Sequence, residues 1–410
     1  MLTTDLNTNI WVISDTHLIA DALHDHGQAF SRMQKTSQGK DLYYQETVLK
    51  ALVRYANEQK PTAIVVTGDL TFNGERQSIH KFGQIFAQLT VTKLLVVPGN
   101  HDIFDGWARE FRGDKQFYAG EISPNFWRNT FDSMYTAATA TDPNSLACAI
   151  QLNPQYYFLM LDSNYYAKEE TTRAPYTRGG ISDSELGWIS NQLQYAKTQH
   201  LRPVLFMHHN LYAHNPAVNR GFVLDNAPQL RQLCEQYQVK LCFSGHIHAQ
   251  NIKRPQPSTP TTEITTSCFA SCDQGYGNVK FHSKHVTYER QIFNMTPYLT
   301  AAEKSDETLV NFHDYLEKLQ IGTIAGHLMQ HDLKVKPQHL SLIRQMGSLF
   351  AQMNYNYYTG HNHIATNELV KIKTSLAYQT LITTHPEFRL YLETLYDTSD
   401  HSNLCAKIVY

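Results

Sequence analysis

Residues 94–102 read LLVVPGNHD, an apolar run that stops at a cluster of polar side chains. A short apolar run that ends at Pro-Gly predicts a buried β-strand followed by a turn. Asn100, His101 and Asp102 then stand just beyond the carboxyl end of this strand. In open α/β folds, ligands bind in the crevice outside the carboxyl ends of the strands. The stretch therefore predicts a buried strand with candidate site residues at its end.

Two apolar runs upstream end in the same way. They stop at the motifs Asp15-x-His17 and Gly68-Asp69, respectively. Between the runs, apolar residues recur at helical spacing, over residues 46–57 and 77–89. Such a series predicts a β-α-β-α-β arrangement in which the strands are buried between layers of helices.

The downstream half of this region repeats the pattern. One apolar run leads to His208-His209, and another leads to His246-x-His248. A capping box that begins at Ser182 predicts a helix that precedes the first of these two runs. Five strand ends therefore carry polar side chains of the same chemical kind.

The pattern changes after the last of these motifs. Residues 261–293 contain short runs with Thr, Val and Tyr, which predict closing strands of the same domain. Apolar residues then recur at helical spacing, beginning with Leu309 and Phe312. We therefore predict two domains, an α/β domain over residues 1–295 and a small helical domain over residues 296–410.

Composition limits the function. The chain has 410 residues, 42% of them hydrophobic, which is enough for one large and one smaller core. Lys and Arg total 35 against 37 Asp and Glu, so the chain lacks the positive charge with which proteins hold long nucleic acids. Six cysteines without a Cys-x-x-Cys pair, a polar N-terminus and no apolar stretch of membrane-spanning length predict a soluble cytoplasmic protein with free thiols.

The polar residues at the strand ends are of metal-ligand type. They are Asp15, His17, Asp69, Asn100, His208, His246 and His248. Mixed oxygen and imidazole donors favour ions of manganese, iron or zinc, whereas all-oxygen sites favour magnesium or calcium. One histidine or aspartate after a strand is usually structural. Five such motifs in this order indicate a metal centre.

The five motifs resemble the signature of the calcineurin-like metallophosphoesterases. The matching blocks are Asp15-x-His17, Gly68-Asp69, Gly99-Asn100-His101-Asp102, His208 and Gly245-His246-x-His248. The resemblance covers nearly all of the first domain. It implies a two-sheet α/β sandwich with a dinuclear metal centre at the strand ends, and hydrolysis of a phosphate ester.

The resemblance also implies which residue binds which metal. Asp69 is expected to bridge the two ions. One ion is expected to bind Asp15, His17, Asp69 and His248, and the other Asp69, Asn100, His208 and His246. Two ions roughly 3.5–4 Å apart can orient a phosphate, activate a bridging water to attack as hydroxide and spread the developing charge.

His101 matches the position that faces the substrate. It can donate a proton to the departing oxygen or a hydrogen bond to a phosphoryl oxygen, and Asp102 can fix its orientation. His209 can contact substrate or only pack. Phe72 stands where the related purple acid phosphatases have a metal-binding tyrosine. A phenyl ring cannot bind a metal, so that branch is disfavoured.

A second Gly-His-x-His motif lies in the helical region, at residues 360–363. It follows a polar, aromatic stretch rather than a buried strand, so we expect a loop without metal. The nearby Tyr355, Tyr357 and Tyr358 are expected to pack rather than to stack on a base.

Longer similarities concern the substrate. Residues 69–75, 100–111 and 179–181 and the helical appendage resemble a bacterial subgroup related to cyclic-nucleotide phosphodiesterases. The leading hypothesis is a phosphodiesterase that acts on a small substrate such as cyclic AMP or cyclic GMP. The alternatives are a phosphomonoesterase, a nuclease and a catalytically silent binding scaffold. The charge balance disfavours the nuclease, and the complete ligand set disfavours the scaffold.

Overall fold

The computed structural model describes residues 1–104, 107–167, 173–255, 259–332, 340–399 and 401–410. Within them the strands are, in chain order, β1 (Thr8–Ile13), β2 (Ala63–Val66), β3 (Lys93–Val96), β4 (Arg109–Arg112), β5 (Lys115–Tyr118), β6 (Ala140–Thr141), β7 (Cys148–Gln151), β8 (Tyr156–Met160), β9 (Arg202–Phe206), β10 (Leu241–Ser244), β11 (Asn251–Lys253), β12 (Thr262–Thr265), β13 (Gly275–Phe281), β14 (His285–Ile292) and β15 (Cys405–Val409). The α-helices are α1 (Gln28–Thr36), α2 (Gln45–Gln59), α3 (Arg76–Phe86), α4 (Pro124–Thr130), α5 (Asp132–Ala137), α6 (Asp183–Thr198), α7 (Ala227–Tyr237), α8 (Glu307–Val310), α9 (Phe312–Asp332), α10 (Leu340–Tyr358), α11 (Thr366–Thr374), α12 (Leu376–Thr384) and α13 (Arg389–Thr394).

These strands form two large sheets and one hairpin. The first sheet has the order β15-β14-β13-β1-β2-β3, in which β1, β2 and β3 are parallel and the other three strands run antiparallel to their neighbours. The second sheet has the order β11-β12-β10-β9-β8-β7-β6, with a parallel centre from β12 to β8. Strands β4 and β5 form the separate hairpin.

The two sheets share one core. Tyr156 and Phe158 of β8 contact Phe281 of β13, with ring centroids 4.8 and 5.5 Å apart, respectively. Helices α6 and α7 cover the outer face of the second sheet, where Leu193 and Leu230 join its buried side chains. Strands that are apolar on both faces need this double cover. The predicted two-sheet α/β sandwich is confirmed.

The parallel strands of both sheets position the motifs. The observed bounds of β3, Lys93–Val96, agree with the predicted apolar run at residues 94–97 to within about one residue, which is within the usual uncertainty of element ends. Since parallel strands point the same way, β1, β2, β3, β9 and β10 deliver their terminal polar residues to one edge of the sandwich.

The region after β14 is mainly helical, as predicted, but its last element is a strand. Alternate burial of Ala406 and Ile408 in β15 matches the period of two of a half-buried strand. Strand β15 pairs with β14 and so belongs to the first sheet. The prediction of a small helical domain over residues 296–410 did not include this strand.

The helices of this region pack on the loop that carries the last motif. Met346, Met353 and Leu381 form a core that also includes Ile247, the residue between His246 and His248. Tyr357 is buried in the same core, as expected for a packing residue. No helix in the described part of the chain is long and apolar enough to cross a membrane.

Candidate metal centre

Five residues of the motifs have left-handed backbone. Asp15, His17, Asp69, His246 and His248 have φ angles of 55°, 41°, 51°, 68° and 59°, respectively. Such conformations are uncommon for residues with a Cβ and persist only where the surroundings impose them. Backbone strain of this kind is typical of functional sites. It turns five side chains at the strand ends towards one another.

Glycines in the motifs allow the loops to approach closely. A Cβ on Gly99 would lie 2.1 Å from Asp69 Oδ1, and a Cβ on Gly68 would lie 2.4 Å from His208 Nδ1. Gly68 also has φ +97°, which favours glycine. Both positions therefore need glycine for the ligand residues to meet.

The first predicted ligand group is assembled as expected. Ligand atoms of Asp15, His17, Asp69 and His248 all lie within 4.8 Å of one another. His17 Nε2 lies 3.3 Å from His248 Nε2, and His248 Nε2 lies 3.3 Å from Asp15 Oδ1. Asp15, His17 and Asp69 are fully or almost fully buried. Two imidazole nitrogens and two carboxylates therefore converge on one small volume.

The second group shares Asp69 with the first. Ligand atoms of Asp69, His208 and His246 lie within 4.8 Å of one another. His208 Nε2 lies 3.4 Å from Asp69 Oδ1 and 3.1 Å from Asn100 Oδ1. The other carboxylate oxygen, Asp69 Oδ2, faces His17 Nε2 at 3.7 Å. One carboxylate thus faces both groups, which is the arrangement that a bridging ligand requires.

Backbone carbonyls fix the histidine rings. His208 Nδ1 lies 2.8 Å from the carbonyl oxygen of Thr67, and His246 Nε2 lies 2.9 Å from that of Thr177 and 3.1 Å from that of Gly221. Outer hydrogen bonds of this kind orient metal-binding imidazoles and select their tautomer. The other ring nitrogen of each histidine therefore faces the candidate metal centre.

The charges of the centre favour a bound cation. Burial raises the pKa of Asp69, but the neighbouring imidazoles, led by His208, hold this pKa well below its usual range. Burial opposes protonation of His208, yet Asp69 and Asp15 raise its pKa to about 9. Burial and the charge of His208 lower the pKa of His246 to about 3. In addition, Asp15 Oδ1 is buried without a hydrogen-bond partner among the described residues. This donor set fits divalent ions of the manganese, iron or zinc kind.

A thiol lies beside the first ligand group. Cys268 Sγ is within 4.8 Å of ligand atoms of His17 and His248 and donates a hydrogen bond to the Asp15 carbonyl oxygen at 3.2 Å. Burial raises the pKa of Cys268 to about 12, which favours the neutral thiol. The sequence pattern did not point to it because it follows no predicted strand end.

His101 lies at the edge of both groups. Its backbone N–H donates to Asp69 Oδ1 at 2.9 Å, and its Nδ1 lies 2.9 Å from the Phe72 carbonyl oxygen and 3.0 Å from Asn73 Oδ1. The ring stands edge-on to His17, with centroids 5.2 Å apart. Its Nε2 is therefore the ring atom available to a bound ligand.

Asp102 does not orient the His101 ring, contrary to expectation. Its carboxylate accepts hydrogen bonds from the backbone N–H groups of Leu70, Thr71 and Gly99, at 3.2, 2.9 and 2.9 Å. Burial, and then the charge of Asp69, raise the pKa of Asp102 to about 7. The Asp102 side chain thus links the loop that carries Asp69 to the loop that carries Asn100. The carbonyl oxygen of Phe72, rather than Asp102, orients the His101 ring.

His209 is engaged on both ring nitrogens. Nδ1 lies 2.9 Å from Ser163 Oγ, and Nε2 lies 3.2 Å from the Thr177 carbonyl oxygen. The residue is fully buried. Of the two roles considered for it, packing beside the ligands is the one that this geometry favours.

Among the described residues, no candidate ligand group includes a residue of the second Gly-His-x-His motif. His361 Nδ1 lies 3.1 Å from Thr359 Oγ1, and Asn362 donates to the Leu395 carbonyl oxygen at 2.9 Å. His363 forms a backbone bridge with Asp397. The motif thus joins two segments of the helical region, and its lack of metal stays a prediction.

A cavity of about 380 Å³ adjoins the centre. Its walls include His246 and His248 on one side and side chains of the helical region on the other. The latter are Gln320, Thr323, Ile324, Phe350, Asn354, Tyr358 and Tyr391. Phe222 completes the aromatic part of the wall. Apart from His246 and His248, the sequence pattern predicted none of these wall residues as a site residue.

Comparison with known proteins agrees with this geometry. Residues 8–250 match the calcineurin-like phosphoesterase family, and residues 294–401 match the C-terminal domain of cyclic nucleotide phosphodiesterase. A dimetal phosphatase of Danio rerio has a similar fold, with a TM-score of 0.52 and 13% identity over 70% of this chain and 96% of that one.

Sequence relatives carry the names of phosphodiesterases. A probable glycerophosphodiester phosphodiesterase GpdQ of Arcobacter nitrofigilis is 26% identical over 225 residues, which are 52% of this chain and 67% of that protein. A probable cyclic nucleotide phosphodiesterase of Xenorhabdus bovienii is 22% identical over 205 residues, which are 50% of this chain and 68% of that protein. The chain therefore belongs to the calcineurin-like phosphoesterase family and is a metal-dependent phosphoric ester hydrolase with phosphodiesterases among its relatives.

Proposed function

We propose that this enzyme hydrolyses a small phosphodiester and that 3′,5′-cyclic nucleotides are its substrate class. The observation that carries the proposal is the cavity beside His246 and His248. Its volume lies in the range of roughly 300–1,000 Å³ that small-molecule sites occupy. Aromatic rings can stack on a nucleobase, and a side-chain amide such as that of Gln320 can pair with its edge. The names of the two relatives, both phosphodiesterases, point in the same direction.

The charge around the cavity supports a diester. A diester carries about one negative charge near neutral pH and a monoester nearly two, so cations around the site favour monoesters. Among the described residues that line the cavity there is no Lys or Arg. The arginines nearest to the motifs in sequence donate hydrogen bonds to backbone carbonyl oxygens. Arg76 donates to that of Glu121 at 3.2 Å, and Arg109 donates to that of Ala108 at 2.9 Å.

The roles of the residues follow from their positions. Asp15, His17, Asp69 and His248 would hold one ion, and Asp69, Asn100, His208 and His246 the other. Bound ions supply Lewis-acid stabilisation of phosphoryl oxygens and lower the pKa of water. His101, whose Nδ1 is held by a carbonyl, presents Nε2 to the ester oxygen that departs. The helical region holds the organic part of the ester and excludes water from it.

A substrate panel tests the proposal. The metal-replete enzyme is assayed with cyclic AMP, cyclic GMP, bis-nitrophenyl phosphate and nitrophenyl phosphate, with manganese, iron and zinc in turn. We expect a higher kcat/KM for the diesters than for nitrophenyl phosphate, because no Lys or Arg among the described residues lines the cavity to meet a second negative charge. A higher kcat/KM for the monoester with each metal would reject the phosphodiesterase proposal and leave the family assignment intact.

The cavity wall gives a separate prediction. Gln320 is 4% exposed, and its Oε1 has no hydrogen-bond partner among the described residues. If this amide recognises the base, Gln320→Met loses one hydrogen bond and raises KM for cyclic AMP about tenfold. The KM for bis-nitrophenyl phosphate, which lacks a base, should stay within about twofold.

Gln352→Met is the matched control. Gln352 is exposed on α10, outside the cavity, and the same chemical change there should alter neither KM. Equal changes in KM for both substrates in Gln320→Met would contradict base recognition by this side chain.

A further inference from the structure

Asn210 stands two residues after His208, in the loop that follows β9. It is fully buried. Its side-chain Nδ2 donates hydrogen bonds to Ser244 Oγ at 3.1 Å and to the Gly245 carbonyl oxygen at 2.9 Å. Gly245 directly precedes His246. One side chain in the loop of His208 therefore holds the loop of His246, and both histidines belong to the second ligand group.

The two acceptors require a donor at this position. The Gly245 carbonyl oxygen can only accept a hydrogen bond, and the Ser244 hydroxyl donates its single proton to Glu263 Oε1 at 2.7 Å. Ser244 Oγ can therefore only accept from Asn210. One amide nitrogen carries two N–H bonds and satisfies both acceptors, whereas an apolar side chain would leave both of them buried without a partner. The contacts thus favour an amide over other side chains of this size.

The backbone of Asn210 holds a second neighbour of His246. Its N–H donates to the Phe222 carbonyl oxygen at 2.9 Å. This bond anchors the segment in which the Gly221 carbonyl oxygen lies 3.1 Å from His246 Nε2. Asn210 therefore acts on His246 from two sides, through the peptide of Gly245 and through the carbonyl that contacts the ring.

A buried carboxylate anchors these contacts to the second sheet. Glu263 is fully buried and accepts hydrogen bonds from Leu211 N at 2.7 Å and Tyr212 N at 2.8 Å, in addition to the Ser244 hydroxyl. It lies on β12, which pairs with β10. The loop after β9 and the end of β10 are thus tied to the same strand, which fixes the distance between them.

The first ligand group depends less on these contacts. Three of its four residues lie in the loops after β1 and β2, namely Asp15, His17 and Asp69. In the described part of the chain, no hydrogen bond of Asn210 reaches those two loops. Only the fourth residue, His248, follows β10. A change at Asn210 should therefore act unequally on the two groups.

We propose that Asn210 is a positioning residue for the second metal ion. Its amide holds the loops of His208 and His246 at a fixed separation and so sets the affinity of the second ligand group. Hydrogen bonds behind metal ligands typically change metal affinity by about 10- to 100-fold. The proposal rests on the two ligand groups of the proposed function, but it does not depend on which ester is hydrolysed.

Asn210→Leu tests this role, since it removes both donors and keeps a side chain of similar size. The full chain is loaded with cobalt(II) and titrated with a competing chelator, and the visible absorption of cobalt reports the release of each ion. We expect the second ion to bind about 10- to 100-fold more weakly, and the affinity of the first ion to change less than about tenfold. His246→Ala and His17→Ala identify the release step of each group, and Asn210→Leu should resemble His246→Ala.

Asn153→Leu is the matched control. Asn153 is also fully buried, and its amide donates to Thr8 Oγ1 at 3.2 Å. It precedes β8, at the opposite end of the parallel strands from the ligand residues. The control should lower Tm, because it also leaves a buried polar group unpaired, yet it should leave the affinity of both ions unchanged.

Ser244→Ala carries the same decision if Asn210→Leu does not fold, because it removes one acceptor of the amide and the link to Glu263. Equal weakening of both ions, weakening of the first ion alone or no weakening would overturn the proposal. So would the same selective loss in Asn153→Leu, or a wild-type chain that binds only one ion. A preference of the wild type for monoesters would reject the proposed diester preference alone, because ion release tests Asn210 without any substrate.

Discussion

Asp69→Ala is expected to lose both metal ions and to reduce turnover to background. Asp69 is the one residue that belongs to both ligand groups, with Oδ1 facing His208 and Oδ2 facing His17. Its carboxylate also accepts the His101 backbone N–H at 2.9 Å. Removal of the side chain therefore takes one ligand from each group and frees the loop of His101.

Metal analysis after loading and dialysis measures the loss, and a kinetic assay on the same samples measures turnover. His361→Ala and His363→Ala are the controls, since neither residue lies in a ligand group, and we expect them to keep the wild-type metal content. Two ions per chain in Asp69→Ala would contradict the bridging role. Loss of metal in the His361 or His363 variants would mean that the second Gly-His-x-His motif binds metal after all.

His101→Ala is expected to keep both ions and lose roughly 10²–10⁴-fold in turnover, the range typical of a positioned acid–base group. The ring is in neither ligand group, and its Nδ1 is held by the Phe72 carbonyl oxygen at 2.9 Å. An imidazole whose Nδ1 donates to a carbonyl can donate from Nε2 only when it is doubly protonated. The proposed general-acid role therefore requires the imidazolium form of His101.

The leaving group separates the two roles of His101. A nitrophenolate needs no proton to depart, so a general acid is missed less with nitrophenyl esters than with alkyl esters. Equal losses on both would favour hydrogen bonding to a phosphoryl oxygen instead. His80→Ala, at an exposed position of α3, is the control and should leave turnover unchanged for both leaving groups.

The convergence of the candidate ligand residues could be predicted because each follows an abrupt change from apolar to polar sequence. Such a change marks the end of a buried strand, and parallel strands bring their ends together whatever the loops do. Asp15, Asp69 and His208 are separated by many residues in sequence and meet at one edge for this reason.

Other parts of the site leave no such signal. Gln38, which lines the cavity, lies in a loop without periodicity, and this loop is held by a backbone hydrogen bond from Asp41 to the Ala270 carbonyl oxygen that no pattern of side chains encodes. The orienting groups of His208 and His246 are carbonyls, which every residue possesses. Asp102 was misassigned because adjacency in sequence suggested a contact with His101, whereas its carboxylate accepts hydrogen bonds from the backbone N–H groups of Leu70 and Gly99.

The return of the chain to the sandwich at β15 makes the helical region an insertion within one sheet rather than a detachable appendage. Both of its ends are fixed, by β14 on entry and by β15 on exit. A truncation near residue 296 would remove β15 together with the helices and leave the backbone N–H and C=O groups along one side of β14 unpaired. Unprotected strand edges of this kind pair with other chains, so aggregation would accompany the loss of the cavity wall.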